Sequence, residues 1–113
     1  MSRANMNAKE EFLSSIGSRP VKCVTITYAP CSLWEDEERP QSKSINLKVG
    51  YNETDWENFL QELDFDYDSG YGGQELYGII WFSASHQWMT RGEYDGSEWW
   101  ETHRIPEIPQ ELI

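Results

Sequence analysis

Apolar and polar positions follow their clearest pattern over residues 74–105, where three aromatic-rich stretches, 74–82, 87–94 and 98–105, are separated by short polar breaks. Asp95-Gly96 lies between the second and third, and a type I′ turn needs positive φ at both central positions, which this dipeptide tolerates. The pattern predicts a three-stranded meander. Upstream, Asn7 is placed to cap a helix over 8–16 with Phe12, Leu13 and Ile16 facing inward, and Gly17 is a natural stop. Over 21–28 Val24, Ile26 and Tyr28 alternate with Cys23, Thr25 and Thr27, a strand pattern repeated over 44–49 by Ile45, Leu47 and Val49. These two strands are expected to pair.

The strongest helical signal spans the middle of the chain. Trp56, Phe59, Leu60 and Leu63 fall at i, i+3, i+4 and i+7, forming one apolar stripe. Thr54 with Glu57 three residues later fits a capping box, and Glu53, Asp55, Glu57 and Glu62 occupy the other faces. Between the patterned segments, 29–42 reads as a long acidic loop with Pro30, Pro40 and the block Glu35-Asp36-Glu37-Glu38. Residues 64–73 read as a second loop, 1–6 as a loose N-terminus, and 105–113 as an extended tail restricted by Pro106 and Pro109. The elements imply one α+β domain over 1–113, with an antiparallel sheet of about five strands that ends in the meander and two helices on one face.

Composition supports a packed domain. Six Trp, six Tyr and four Phe in 113 residues supply large buried areas without metal or disulfide staples. Charge adds what periodicity does not. The net charge is −11, and its distribution is lopsided: 1–49 carries seven bases and six acids, whereas 50–113 carries fourteen acids against only Arg91 and Arg104. Such a field repels nucleic acid and anionic membranes and attracts basic partners. There is no run long enough for a membrane span and no signal-like N-terminal apolar segment, so cytoplasmic residence is the expectation, with Cys23 and Cys31 reduced unless they pair with each other.

Candidate chemistry is sparse. Asp64, Asp66, Asp68 and Glu75 stand at positions 1, 3, 5 and 12 of a calcium-loop spacing, but Ser69 occupies the position of the turn glycine. A calcium-binding module is thus an alternative reading, and no other cofactor is expected. His86 and His103 lie in no zinc spacing, and neither a nucleophile elbow nor a defined carboxylate pair marks an enzyme. The aromatic residues suggest a stacking platform, yet single-strand binders join such platforms to a basic groove, which this half lacks. On a strand only alternate residues share a face, so either Trp99 or Trp100 should point outward. Rimmed by Glu93, Glu98 and Glu101, that ring is a candidate protein anchor.

The acids themselves are the remaining candidate. A small domain needs a net charge of only about 2 to 8 for solubility. Alternate carboxylates in extended chain lie roughly 6 to 7 Å apart, on the order of the step between phosphates along a strand. The Glu35-Asp-Glu-Glu38 block, the Asp64-Phe-Asp-Tyr-Asp68 segment and the run Gly92-Glu-Tyr-Asp-Gly-Ser-Glu-Trp-Trp-Glu101 resemble, in general character, the small acidic anti-defence proteins of phages and mobile elements, including nucleic-acid-mimicking antirestriction and anti-CRISPR proteins. The last run, with Tyr71-Gly-Gly-Gln-Glu-Leu-Tyr-Gly78, is also similar to short phage reading frames. The resemblance implies a non-enzymatic inhibitor whose partner is a basic, nucleic-acid-binding protein. Asp64, Asp66, Asp68, Glu93, Asp95, Glu98 and Glu101 are the expected charges, and Trp99 or Trp100 the apolar anchor. A protein–protein adaptor with aromatic contacts is a further alternative, and the oligomeric state is open.

Overall fold

The structure, a computed structural model, describes residues 5–29, 42–68, 75–83, 86–94, 97–106 and 108–112, with the side chains of Asn5 and Asp68 set aside. The elements run β1 (Asn5–Asn7), α1 (Ala8–Ile16), β2 (Val21–Tyr28), β3 (Lys43–Leu47), α2 (Glu53–Glu62), β4 (Asp66–Asp68), β5 (Leu76–Phe82), β6 (Gln87–Tyr94) and β7 (Ser97–Arg104), with a 3₁₀ turn at Gln110–Leu112. Five strands form an antiparallel sheet in the order β3-β2-β5-β6-β7, and β1 and β4 form a separate two-stranded ribbon. The expected α+β class, the five-stranded sheet and its closing meander are all present. Among the described residues, no helix is long and apolar enough to cross a membrane.

One hydrophobic core lies between the sheet and the helices. Phe12 and Ile16 of α1 and Phe59 of α2 meet Val24, Ile26, Ile45, Leu47, Leu76, Ile80 and Met89 on the inner sheet face. The strand residues share that face because their registers align: Leu47 opposes Val24, Val24 opposes Ile80, and Ile80 opposes Met89. At Lys22 the register between β2 and β5 shifts, so that Val21 and Val24 both turn inward although they are three residues apart. Rings from different elements complete the packing, with Phe12 edge-on to Phe59 at 5.3 Å and Trp56 stacked on Tyr51 at 5.7 Å.

Helix α1 begins and ends where expected. The Asn7 side chain accepts from the Glu10 amide at 3.0 Å, and Gly17 closes the helix at φ 60°. Arg19 then donates to the Ser15 and Ile16 carbonyls at 2.6 and 3.1 Å, which satisfies acceptors left free at the helix end. Leu13 differs from expectation: it is exposed, and Ala8 takes the inward position a turn earlier.

Three other expectations are corrected. Helix α2 is capped by Asn52 and Asp55, whose side chains satisfy each other's backbone amides at 2.8 and 3.1 Å, so Thr54 and Glu57 do not form the box. The same spacing of three occurs at both pairs, and the Gly50 turn at φ 86° delivers the chain to Asn52 first. Val49 belongs to that turn and is exposed rather than in the strand. Finally, 5–6 and 66–68, expected as loose terminus and loop, pair as β1 and β4, because burying Tyr67 between them and the sheet fixes both segments. Residues 30–41, most of the expected acidic loop, lie outside the described residues. In the tail Ile105, Ile108 and Leu112 are exposed.

Asn52→Ala should lower stability by about 1 kcal/mol through loss of the cap, whereas Thr54→Ala should change it by less than about 0.5 kcal/mol. Urea melts of the two variants check this; equal losses would restore the Thr54 register.

Candidate functional site

The expected site residues separate into three places. Asp64 and Asp66 lie beyond the end of α2 on the helical side, Glu98 and Trp100 lie in the interior, and Trp99 and Glu101 lie on the opposite face of the sheet. Glu93 is exposed near the end of β6. Asp95 and the side chain of Asp68 fall outside the described residues.

Around α2 the carboxylates are exposed and close together in sequence. Glu53, Asp55, Glu57 and Glu62 all reach solvent, and Asp64 and Asp66 continue the series. The Asn7 amide donates to both of these last two carboxylates, at 3.0 and 3.1 Å, so their spacing is held by β1. That hydrogen bond, and then the charge of Lys9 at 3.5 Å, hold Asp64 below the usual carboxylate range. Asp55, Asn58 and Glu62 recur at i, i+3 and i+7 along one side of the helix. They rim a groove of about 310 Å³ whose floor includes Leu47, Tyr51 and Phe59. Among the described residues, no three His, Cys, Asp or Glu side chains gather to hold a metal ion. Of the segment expected to wrap calcium, Asp66–Asp68 form the strand β4, and residues 69–74 lie outside the described residues.

Glu98 and Trp100, expected at the partner surface, are corrected to the interior, with exposures of 5% and 8%. They share the inner face with Arg91, which stands opposite Trp100 across the strand pair. The Arg91 guanidinium donates to Glu98 at 2.7 Å, to Glu11 of α1 at 3.1 Å and to the Tyr67 hydroxyl at 2.8 Å. Tyr67 in turn donates to Glu11. Glu98 also accepts the amides of Glu75 and Leu76 at 2.8 and 3.0 Å. Burial disfavours the charge on Arg91, but Glu11, Glu98 and Tyr67 outweigh it and hold the guanidinium above its ordinary pKa. Burial first, and the bond to Glu11 second, push the Tyr67 phenol well above the usual range. The sequence offered one signal for this cluster: Arg91 and Glu98, a base and an acid, lie on strands that the predicted Asp95-Gly96 turn makes neighbours.

The outer sheet face is unlike either region. Registers assemble it in rows: Cys23, Trp81, Trp88 and His103 cross four strands, followed by Asn46, Thr25, Ile79, Thr90 and Glu101. The next row places Thr27 beside Tyr77 and Gly92 beside Trp99. Trp81 and Trp99 are 40% and 37% exposed, and Tyr77 and Tyr94 are more so. His103 stacks on Trp88 at 5.4 Å and shares a hydrogen bond of 2.7 Å with Thr90. The Trp99 indole donates to Glu101 at 3.0 Å. Cys23 carries a free thiol here, and Cys31 lies outside the described residues. The alternation of strand residues therefore resolves the paired tryptophans, with Trp99 outward and Trp100 inward.

Compared with known proteins, the chain matches no family model, no curated protein and no solved structure.

Arg91→Ala leaves two buried carboxylates without their cation and should cost about 3–5 kcal/mol, measured by denaturant unfolding. Tyr67→Phe should cost about 1.5–3 kcal/mol at neutral pH. It should also flatten the alkaline limb: the folded chain keeps Tyr67 protonated to higher pH than the unfolded chain does. The resulting stability is whole below pH about 10 and is lost as pH rises beyond it. Tyr28, also raised by burial and by Glu75, remains to give the residual slope. An unchanged alkaline limb in Tyr67→Phe would remove this assignment.

Proposed function

We propose that the protein acts by binding, without chemistry of its own, as an acidic inhibitor of a basic nucleic-acid-binding protein. The observation that carries this reading is the acidic ribbon formed by α2 and the residues after it, which Lys9 meets at Asp64. No Lys or Arg occurs between Lys48 and Arg91, and Glu53, Asp55, Glu57, Glu62, Asp64 and Asp66 all face solvent. Arg91 is spent on internal carboxylates and does not offset the ribbon. The ribbon is also partly rigid, since Asp55 is fixed by the cap and Asp64 and Asp66 by Asn7. Carboxylates held in advance lose little freedom on binding, which favours association. A basic cleft that exchanges counterions for phosphates can exchange them for such a surface.

The groove beside the ribbon supports the same reading. A lysine or arginine stem laid across Leu47, Tyr51 and Phe59 would bring its charge to Asp55 or Glu62 while its methylenes stay covered. Lys48 also lines the groove, where it repels a basic segment that Asp55 and Glu62 attract.

A bacterial lysate passed over the immobilised protein at low salt should yield nucleic-acid-binding proteins that rising salt or added DNA or RNA releases. The double variant Glu57→Lys, Glu62→Lys, both exposed and outside the cap, should weaken capture at least tenfold. Capture that resists salt, nucleic acid and the double substitution would reject the acidic ribbon as the binding surface.

A further inference from the structure

The outer face of the five-stranded sheet is the largest feature left unused by the acidic ribbon. Exposed rings are ordinary when scattered, but here Trp81 and Tyr77 of β5 and Trp99 of β7, with β6 between them, stand on one face of the sheet. Cys23, Thr25, Thr27, Ser44 and Asn46 fill the rows on the β2 and β3 side, and Glu101 is set among the rings.

Glu101 is held in a particular way. Gly92 stands opposite Trp99 on β6, and a Cβ there would sit 2.6 Å from the Glu101 carboxyl carbon and 2.7 Å from the Trp99 indole nitrogen. Both side chains therefore lean over the glycine, and the indole N–H occupies one carboxylate oxygen, Oε1. The second oxygen is left to accept from elsewhere, beside the nitrogen edge of the indole. A planar cation suits this arrangement: its edge meets the carboxylate while its face lies on a ring.

We propose that this face docks an arginine-bearing segment of a basic polypeptide, with Glu101 taking a guanidinium edge and Trp99, Tyr77 and Trp81 supplying stacking surfaces. The inference rests on the reading of the protein as a binder of basic partners and adds a second, arginine-selective surface to it. Charge decides among occupants. A net charge of −11 opposes a second copy of the chain, and a carboxylate amid the rings opposes nucleic acid, whereas both attract a cationic segment. The acidic ribbon alone does not distinguish lysine from arginine. The sheet face does, because a compact ammonium neither stacks nor bridges as a guanidinium does.

The test titrates the protein with oligoarginine and oligolysine peptides of equal length, read by calorimetry and tryptophan fluorescence. Oligoarginine should bind roughly tenfold more tightly, as a desolvated cation–ring contact allows. Gly92→Ala, which displaces the flexible ends of Glu101 and Trp99, and Trp99→Ala should each bring that ratio to near one, with melting temperatures showing that both variants are folded. Glu57→Lys, Glu62→Lys should weaken both peptides and preserve the ratio. Equal binding of the two peptides by the native chain overturns the sheet-face proposal while leaving the acidic ribbon standing, and a ratio that survives both Gly92→Ala and Trp99→Ala does the same. No binding of either peptide overturns both readings. A dimer dissolved by Trp99→Ala, or quenching of the tryptophans by neutral oligosaccharides with no response to oligoarginine, assigns the face to another occupant and also overturns the proposal.

Discussion

A single buried cation ties this fold together. The Arg91 side chain is 1% exposed and reaches carboxylates on α1 and β7, the phenol of β4 and the Leu76 carbonyl of β5, at 3.3 Å from its Nε. Five separate pieces of chain must be in place before its charge is satisfied. Burying an unpaired cation costs several kcal/mol, so arrangements lacking any of these partners are disfavoured. The cluster also specifies register. A slip of one residue between β6 and β7 would turn Glu98 to solvent and leave Arg91 facing the core alone. The two-stranded ribbon of β1 and β4 depends on the same constraint, since Tyr67 is its only buried contribution to the cluster's hydrogen bonds among the described residues.

This interior arrangement changes the meaning of the acidic composition. Carboxylates counted together in the sequence serve three different purposes. Glu11 and Glu98 neutralise Arg91 inside the protein, and Asp55 caps a helix. Asp64 and Asp66 are held in position by an amide but remain in solvent, with Glu53, Glu57 and Glu62 beside them on α2. Glu11 and Glu98, paired with Arg91, are thereby withdrawn from the surface charge that a net −11 suggests.

The sheet sorts its aromatic residues by the same geometry. Alternation sends Met89, Arg91 and Trp100 inward and Trp88, Thr90 and Trp99 outward. Gly78 admits the Trp100 ring on the inner side, where a Cβ would meet it at 3.1 Å, while Gly92 lets Trp99 and Glu101 close over β6 on the outer side. Two glycines that look alike in sequence thus shape opposite faces. The result is a molecule with an acidic helical side and a ring-bearing sheet side, separated by one core.

Much of this was legible in the sequence because it rests on local rules. Periods of two and of three to four residues identified both helices and the five sheet strands, and Asn7 and Gly17 bounded α1, because capping and alternation depend on neighbours in the chain. The acid-rich half and the outward orientation of one tryptophan in the Trp99–Trp100 pair were likewise readable. Tertiary structure alone decided the rest. It chose Asn52 over Thr54 as the cap, since two equal spacings compete and the preceding turn selects between them. It paired residues 5–7 with 66–68, a contact between segments with too few residues to show a period. It took Glu98 and Trp100 from the expected partner surface into the core, because burial of a charge depends on a distant counter-charge that sequence position does not reveal.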